Sequence, residues 1–231
     1  MAYRDGVQRK HIKGLERSTL RERALHALRA GLISGEFEPD EHLSEVELAE
    51  SFGISRGTVR EALRHLQQEG LVTSDYRGRL RVRGVTSGEI HEVFRVRAAL
   101  ESLAVRTIIE SPDEDGHKLA LERLEAAIDR LRASEGDPAE QLEADLAFHH
   151  TLCEVSGNQT LLRTWSSLEG LIRATIVRVG RAEALANMDA DRHATIVEAI
   201  RDLGVTEASR LVTEHMEAAA QSLAAALDSR N

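Results

Sequence analysis

The sequence predicts a mainly α-helical protein, in which an N-terminal winged helix-turn-helix precedes a C-terminal all-α antiparallel bundle of about six helices. Aromatic residues make up only 3% of the 231 residues, while alanine and leucine are plentiful, and this composition favours helices. Apolar residues recur at helical spacing along most of the chain. The period-two alternation that is typical of strands is confined to residues 71–83.

The distribution of charge separates two parts of the chain. The net charge is −9 overall, with +2 on residues 1–85 and −11 on residues 86–231. This asymmetry allows an N-terminal part that binds nucleic acid and a body that does not. A single cysteine, Cys153, excludes an intrachain disulfide and favours a reducing cytoplasm. Neither a signal peptide nor an apolar run of the ~20 residues needed for a membrane span is present, so no membrane partner is expected.

The predicted DNA-binding part occupies residues 19–84, after a basic and aperiodic stretch, residues 1–18, which we interpret as a flexible arm. The first helix begins at the capping box Thr19–Glu22 and ends at Gly35.

The next two helices are short and lie close together. One begins at the capping box Ser44–Glu47 and ends at Gly53, and the other is capped by Ser55 and closed by Gly70. Two short helices joined by a tight turn that contains glycine are typical of a helix-turn-helix.

The second of these short helices has the composition of a recognition helix. Arg56, Arg60 and Arg64 recur every four residues beside the apolar stripe, so one face can be buried while its neighbour meets phosphates and base edges. Ser55 and Thr58 add phosphate donors at the positive end of the helix dipole.

A β-hairpin is predicted after this helix. Residues 71–74 and 79–83 are the strands, and Asp75–Gly78 is the turn. Arg77 lies at the tip, and Arg79 begins a basic face opposite Leu80 and Val82. The alternative is that these arginines only solvate a surface. Two basic runs that follow a helix-turn-helix favour DNA binding instead.

Residues 19–84 resemble the winged-helix domain of GntR-type bacterial regulators. The resemblance is carried by three runs: Leu43–Ala49, Phe52–Leu63 and Leu66–Val72. It implies that Arg56, Thr58, Arg60 and Gly78 contact operator DNA, and we add Ser55, Arg77 and Arg79 to this surface. The chain departs from the family at Gly57-Thr58, where Thr-Pro is usual, and at Val46, where some members have arginine, so an operator sequence does not follow.

After a short linker at residues 85–88, the pattern predicts only helices. The six predicted segments are residues 89–110, 114–134, 138–156, 159–180, 182–203 and 206–228. Their short separators suit antiparallel neighbours in a bundle.

Four residues of this bundle could hold a divalent metal. Asp145 and His149 are four residues apart on one helix and therefore share a face. His193 and His215 lie on two further predicted helices, so three helices could bring one oxygen and three nitrogens together. A lone histidine is more often a surface or satisfied core residue, and that alternative stays open here.

Residues 89–228 resemble the FCD domain of the FadR subfamily, and the helix count favours its VanR-like branch. The resemblance is carried by Val96–Glu101, Asp145–Leu152, Ser156–Asn158, His193–Ile200 and Ala208–Met216. It implies a metal held by Asp145, His149, His193 and His215, with zinc first and nickel or manganese as alternatives. It also implies effector-binding roles for Arg97 and Asn158.

Three neighbouring residues have competing interpretations. Arg97 either pairs with an effector carboxylate or forms a structural ion pair with Glu101, four residues on. Cys153 is a thiolate ligand or redox sensor in one interpretation and a small core residue in the favoured one. His150 points about 100° away from His149 on a helix and is left out of the site.

Together these patterns predict a homodimeric transcriptional regulator, most simply a repressor, whose operator affinity is set by a small carboxylate or hydroxy acid beside the metal. Two alternatives remain: a metal-dependent enzyme fused to a DNA-binding head, which lacks an evident general base, and a regulator with a purely structural metal.

Overall fold

A computed structural model of the protein describes residues 20–34, 36–179 and 187–229. Within these ranges the chain forms nine α-helices and one two-stranded sheet, which confirms the predicted fold class. The predicted arm at residues 1–18 and the cap at Thr19 lie outside the described residues.

The head is the N-terminal part predicted at residues 19–84, and its three helices begin and end close to their predicted limits. They are α1 (Leu20–Ser34), α2 (Glu45–Phe52) and α3 (Arg56–Gln68). The Ser44 side chain accepts a hydrogen bond from the Glu47 amide at 3.4 Å, and Ser55 Oγ accepts one from the Thr58 amide at 3.1 Å. Both serines therefore satisfy amides that have no partner within the helix. Gly53 ends α2 in the left-handed conformation, with φ of 63°.

The wing is a shorter hairpin than the one predicted. Strands β1 (Val72–Ser74) and β2 (Leu80–Val82) pair antiparallel, with Val72 opposite Val82. The backbone of Leu43 donates to the Leu80 carbonyl at 2.9 Å, which ties the wing to the start of α2. Further backbone hydrogen bonds join Asp40 and Glu41 to Val82, so the segment before α2 fixes the wing against the helix-turn-helix.

The core of the head lies under α3. Val59, Leu63 and Leu66 are fully buried, together with Leu28 of α1. Each side chain of this size contributes about 1.5–3 kcal/mol when it is fully buried. The apolar stripe predicted for α3 therefore packs inward, and the arginine-bearing face stays outside.

Six helices form the body within the described residues. They are α4 (Ser87–Ile109), α5 (Glu114–Ala133), α6 (Pro138–Val155), α7 (Gln159–Val179), α8 (Ala190–Asp202) and α9 (Val205–Asp228). Helices α4 and α9 run antiparallel along their lengths: Ser87 bonds to Asp228 at one end, and Ser102 donates to the Ser209 carbonyl at the other. No helix in the described ranges is long and apolar enough to span a membrane.

Two predicted boundaries need correction. Helix α4 begins at Ser87, inside the predicted linker, because Thr86 and Glu89 form a capping box. The segment predicted to be helical from residue 182 is not helical at residues 187–189. There, Asp189 accepts from the Asp191 amide at 2.7 Å and caps α8. Residues 182–186 lie outside the described ranges, so the branch assignment, which rests on a helix count, stays a prediction.

The head touches the body where α3 ends. Gly170 of α7 approaches the backbone of Glu69 and Gly70 so closely that an added Cβ would lie 1.3 Å from the Glu69 carbonyl oxygen. Beside this contact, Arg29 of α1 pairs with Glu69, with 2.5 Å between Nη2 and Oε1. The contact therefore depends on a glycine in α7.

Candidate metal centre and nucleic-acid interface

The four predicted metal ligands meet inside the body. Helix α6 supplies Asp145 and His149, α8 supplies His193, and α9 supplies His215. All four residues are at most 7% exposed. The three histidines each offer a nitrogen, and these nitrogens lie within 4.8 Å of one another. This is the spacing of ligands around one cation.

The Asp145 carboxylate faces the same point. Its Oδ1 lies 3.2 Å from His193 Nε2 and 3.9 Å from His149 Nε2. The two Nε2 atoms are themselves 3.2 Å apart. A carboxylate oxygen and imidazole nitrogens gathered this closely out of water fit a bound cation, with Zn²⁺ well suited to the set.

Hydrogen bonds from the outer ring nitrogens orient two of the histidines. His149 Nδ1 lies 2.7 Å from Glu101 Oε2, and His193 Nδ1 lies 2.7 Å from the Asp189 carbonyl oxygen. Because each Nδ1 donates to an oxygen, each Nε2 is left with its lone pair toward the centre. His215 Nδ1 is buried without a hydrogen-bond partner in the described part of the chain. A buried imidazole nitrogen without a hydrogen-bond partner is also suited to be a metal ligand.

Burial keeps these groups in the protonation states that bind metal. Burial lowers the pKa of His149 below its ordinary value, and burial together with the neighbouring His193 lowers that of His215 further. Burial opposes ionisation of Asp145, but its contacts with His193 and His149 and the charge of Arg97 lower its pKa. Burial therefore favours the neutral forms of His149 and His215 beside a carboxylate, as a divalent ion requires.

Glu101 of α4, which the sequence suggested only as an ion-pair partner of Arg97, lies beside the candidate ligand set. Besides His149, its carboxylate accepts from Arg97 Nε at 3.1 Å and from Trp165 Nε1 at 2.9 Å. Burial disfavours its charge, but His149 and Arg97 lower the pKa of Glu101 to about 2. The available sequence signal was a glutamate at helical spacing among the apolar residues of the predicted helix 89–110.

Arg97 forms the ion pair that one interpretation predicted, while its effector-binding role stays a prediction. Its Nε forms the structural ion pair with Glu101, while its buried Nη2 has no hydrogen-bond partner among the described residues. Arg97 also lines a cavity of about 20 Å³ together with Asp145, His149 and His215. About 10–15 Å³ is needed to hold one water, so this cavity suits an ion or a water and is too small for an organic acid.

The other residues weighed for this site lie in different surroundings. The Asn158 side chain accepts from the Leu161 amide at 3.1 Å and caps α7, and Asn158 does not line the cavity beside the histidines. Cys153 is fully buried, and burial raises the pKa of its thiol, so it remains protonated. The ring of His150 lies against Trp165, with centroids 5.8 Å apart.

The head presents a second, exposed candidate surface along α3. Arg56, Arg60 and Arg64 are exposed on one side of the helix, as its spacing predicted. Ser55 and Thr58 lie at its N-terminus, where their hydroxyl oxygens are 2.8 Å apart. Arg60 also forms an ion pair with Glu45 of α2 through two of its nitrogens. This ion pair raises the pKa of Arg60 and lowers the pKa of Glu45.

The tip of the wing continues this surface. Tyr76 is 86% exposed, and the guanidinium carbon of Arg77 lies 5.1 Å from the centre of its ring. Asp75 accepts from the amides of Arg77 and Arg79 and from Arg79 Nε, all at 2.8–3.0 Å. Gly78 has φ of 76°, which a side chain would disfavour. The turn thus fixes two arginines at an exposed tip.

Two family models match the chain. The model described as "Bacterial regulatory proteins, gntR family" matches residues 20–82, and the FCD domain model matches residues 92–218. The first match spans the helix-turn-helix and wing, and the second spans all four clustered ligands.

Individual proteins align over most of the chain. An uncharacterized HTH-type transcriptional regulator, YdhC of Bacillus subtilis (strain 168), is 27% identical over 81% of this chain and 84% of its own length. A probable D-xylose utilization operon transcriptional repressor of Paenarthrobacter nicotinovorans is 27% identical over 89% of both. The crystal structure of a putative transcriptional regulator GntR from Rhodococcus sp. RHA1 has a TM-score of 0.68 at 24% identity and covers 88% of this chain and 96% of that one.

Proposed function

The chain belongs to the GntR family of bacterial transcriptional regulators, with an FCD domain as its body, and from this premise we propose that it is a homodimeric repressor controlled through a metal-centred effector site. Regulation of transcription, rather than catalysis, follows from the family. Repression, the metal, the effector, the homodimer and a cytoplasmic location are the further steps of the proposal.

The observation that carries the metal proposal is the convergence of one carboxylate and three histidines from three helices. The three histidine nitrogens lie within 4.8 Å of one another, and the Asp145 carboxylate lies beside two of them. The burial of these residues and the hydrogen-bonded Nδ1 atoms of His149 and His193 support a preformed ligand set. When bound, the metal would supply positive charge for an anionic ligand in a largely apolar bundle.

The effector proposal rests on Arg97. Its unpartnered Nη2 is buried near the ligand set, and a carboxylate is the natural partner of a guanidinium. Because the cavity has room only for an ion or a water, entry of an acid requires the surrounding helices to separate. That displacement would couple ligand binding to the packing of the body.

The small cavity also favours a second candidate: a metal that is purely structural and staples α6, α8 and α9 together. A cation bound only by the folded state stabilises it whether or not an effector exists. The two candidates differ in whether a small acid adds anything to the metal.

One experiment separates these candidates. Full-length protein is stripped with a chelator, reloaded with Zn²⁺, and its melting temperature is measured with acetate, succinate or citrate. The proposal expects a metal-dependent rise in stability and a further concentration-dependent rise with at least one acid. A rise with Zn²⁺ alone supports the structural metal, and no metal-dependent rise contradicts both. His193→Ala should abolish the response to Zn²⁺, whereas His150→Ala, outside the ligand set, should retain it.

A further inference from the structure

We propose that Glu45 is a specificity-determining residue that positions Arg60, so that the free edge of the Arg60 guanidinium reads a guanine. The inference rests on α3 as the DNA-reading helix and is independent of the metal and effector. It assigns a role in base selection to an acidic residue at the start of the neighbouring helix.

The ion pair between the two residues has two-point geometry. Arg60 Nε lies 2.9 Å from Glu45 Oε1, and Arg60 Nη2 lies 2.7 Å from Oε2. Arg64, one turn along the same face, has a single contact of 3.5 Å with Glu61. Two parallel hydrogen bonds fix the plane of a guanidinium, whereas a single long contact leaves it free to turn.

The pairing leaves a usable set of donors on Arg60. A guanidinium has five N–H groups, and Glu45 takes the Nε hydrogen and one from Nη2. The two hydrogens of Nη1 and the second hydrogen of Nη2 are not used by Glu45. One hydrogen from each of these nitrogens forms the outer edge of the guanidinium. That edge matches the O6 and N7 acceptors of guanine in the major groove, which is the commonest specific contact of arginine with DNA.

The charge and exposure of the pair also favour a base over a phosphate. The Arg60 side chain is 54% exposed and can reach a ligand, while Glu45 is 24% exposed and sits behind it. A carboxylate beside the guanidinium repels a phosphate but not a neutral base edge. Holding the side chain in place before binding also reduces the entropy lost on recognition.

The position of Glu45 offers a matched control. Glu45 and Glu47 both lie in the first turn of α2, so replacing either by glutamine removes one negative charge from the same end of the same helix. Glu47 is exposed, and the contact that caps the helix uses its backbone amide, not its carboxylate. Glu47→Gln therefore reproduces the charge change without touching Arg60.

The test is a selection from a pool of random-sequence DNA duplexes with full-length protein. We expect the wild type to select a motif with an invariant guanine that Arg60→Ala no longer selects. Glu45→Gln should weaken the preference for that same guanine about tenfold, while Glu47→Gln should keep it. Glu45→Asp, which keeps the charge but shortens the reach, should also lose the preference. Circular dichroism of each variant checks that the helices remain.

Other outcomes would overturn the assignment. If Glu45→Gln keeps the guanine and changes affinity equally for all duplexes, Glu45 acts only through its charge. If Glu47→Gln loses as much preference as Glu45→Gln, the helix end and not the ion pair is responsible. If the position lost in Arg60→Ala is not a guanine, the edge-reading geometry is wrong even though the pair exists.

Discussion

Glu101 is completely buried and accepts hydrogen bonds from three side chains on three different helices. It receives Arg97 from its own helix, His149 from α6 and Trp165 from α7. Since His149 is a candidate ligand, the carboxylate sets the orientation of a ring that would face the proposed metal, as well as balancing a buried charge.

Glu101→Gln should therefore have two effects. Removing one partner of a buried ion pair leaves Arg97 uncompensated, so the free energy of unfolding should fall by about 3 kcal/mol in urea titrations. Affinity for Zn²⁺, measured by competition with a chelator, should fall about 10–100-fold. The double variant Arg97→Met with Glu101→Gln should regain stability but not metal affinity. Unchanged Zn²⁺ affinity in the single variant would show that Glu101 does not position the ring.

On the proposed DNA-reading surface, the residue to test is Arg60. It is exposed on α3 and lies outside both cores, so its truncation should spare the fold. We expect Arg60→Ala to remove the preference for duplexes recovered with the wild type over duplexes that differ from them only at the position that Arg60 reads, as measured by fluorescence anisotropy. The melting temperature and the oligomeric state should not change. Retained selective binding would contradict the placement of α3 as the recognition helix.

At the scale of the element, the wing is a pair of three-residue strands whose connecting turn is stabilised by the carboxylate of Asp75. Two backbone amides and one guanidinium donate to Asp75, and the backbone amide of Arg79 is the foremost reason that the pKa of Asp75 falls from 3.8 to about 2. Because the folded pKa is depressed, the stabilisation is complete above about pH 4 and is lost as pH falls toward 2. At neutral pH the Asp75 carboxylate therefore contributes its full stabilisation to the wing tip.

Asp75→Ala should reproduce at pH 7 what acid does to the wild type. The amides of Arg77 and Arg79 should exchange with solvent faster by NMR, and affinity for DNA should drop because the basic tip is no longer fixed. Amides in α2 and α3 provide the internal control and should keep their exchange rates. Slow exchange at Arg77 and Arg79 in the variant would show that the hairpin turn forms without the carboxylate.

At the scale of the whole molecule, the head and body meet where the end of α3 rests on α7. A glycine inside a helix usually costs about 1 kcal/mol relative to alanine. Gly170 occupies such a position, and its missing Cβ admits the Glu69 carbonyl oxygen. Trp165, on the same helix, bonds to Glu101, so α7 touches both the head and the surroundings of the metal ligands.

Gly170→Ala should separate the head from the body despite the better helix propensity of alanine. We expect unchanged helix content by circular dichroism, a larger radius of gyration by small-angle scattering and altered DNA affinity. Gly88→Ala is the matched control, because an added Cβ in that helix meets only Thr86 Oγ1 at 3.9 Å. A variant at Gly170 that stays as compact as the wild type would contradict the role of this contact.

The sequence alone determined the helices, their serine caps, the position of the wing and the shared face of Asp145 and His149, because helical periodicity and i,i+4 spacing are local properties of the chain. The resemblance to the FCD domain added His193 and His215 to the candidate ligands. Only the tertiary structure decided that Glu101 accepts a hydrogen bond from His149, that Glu45 forms an ion pair with Arg60 and that Gly170 packs against the backbone of Glu69. These pairs lie 48, 15 and 101 residues apart, and no local pattern relates their members. Which of many compatible side chains meet is fixed by how whole helices pack, and that depends on the shape of the complete core.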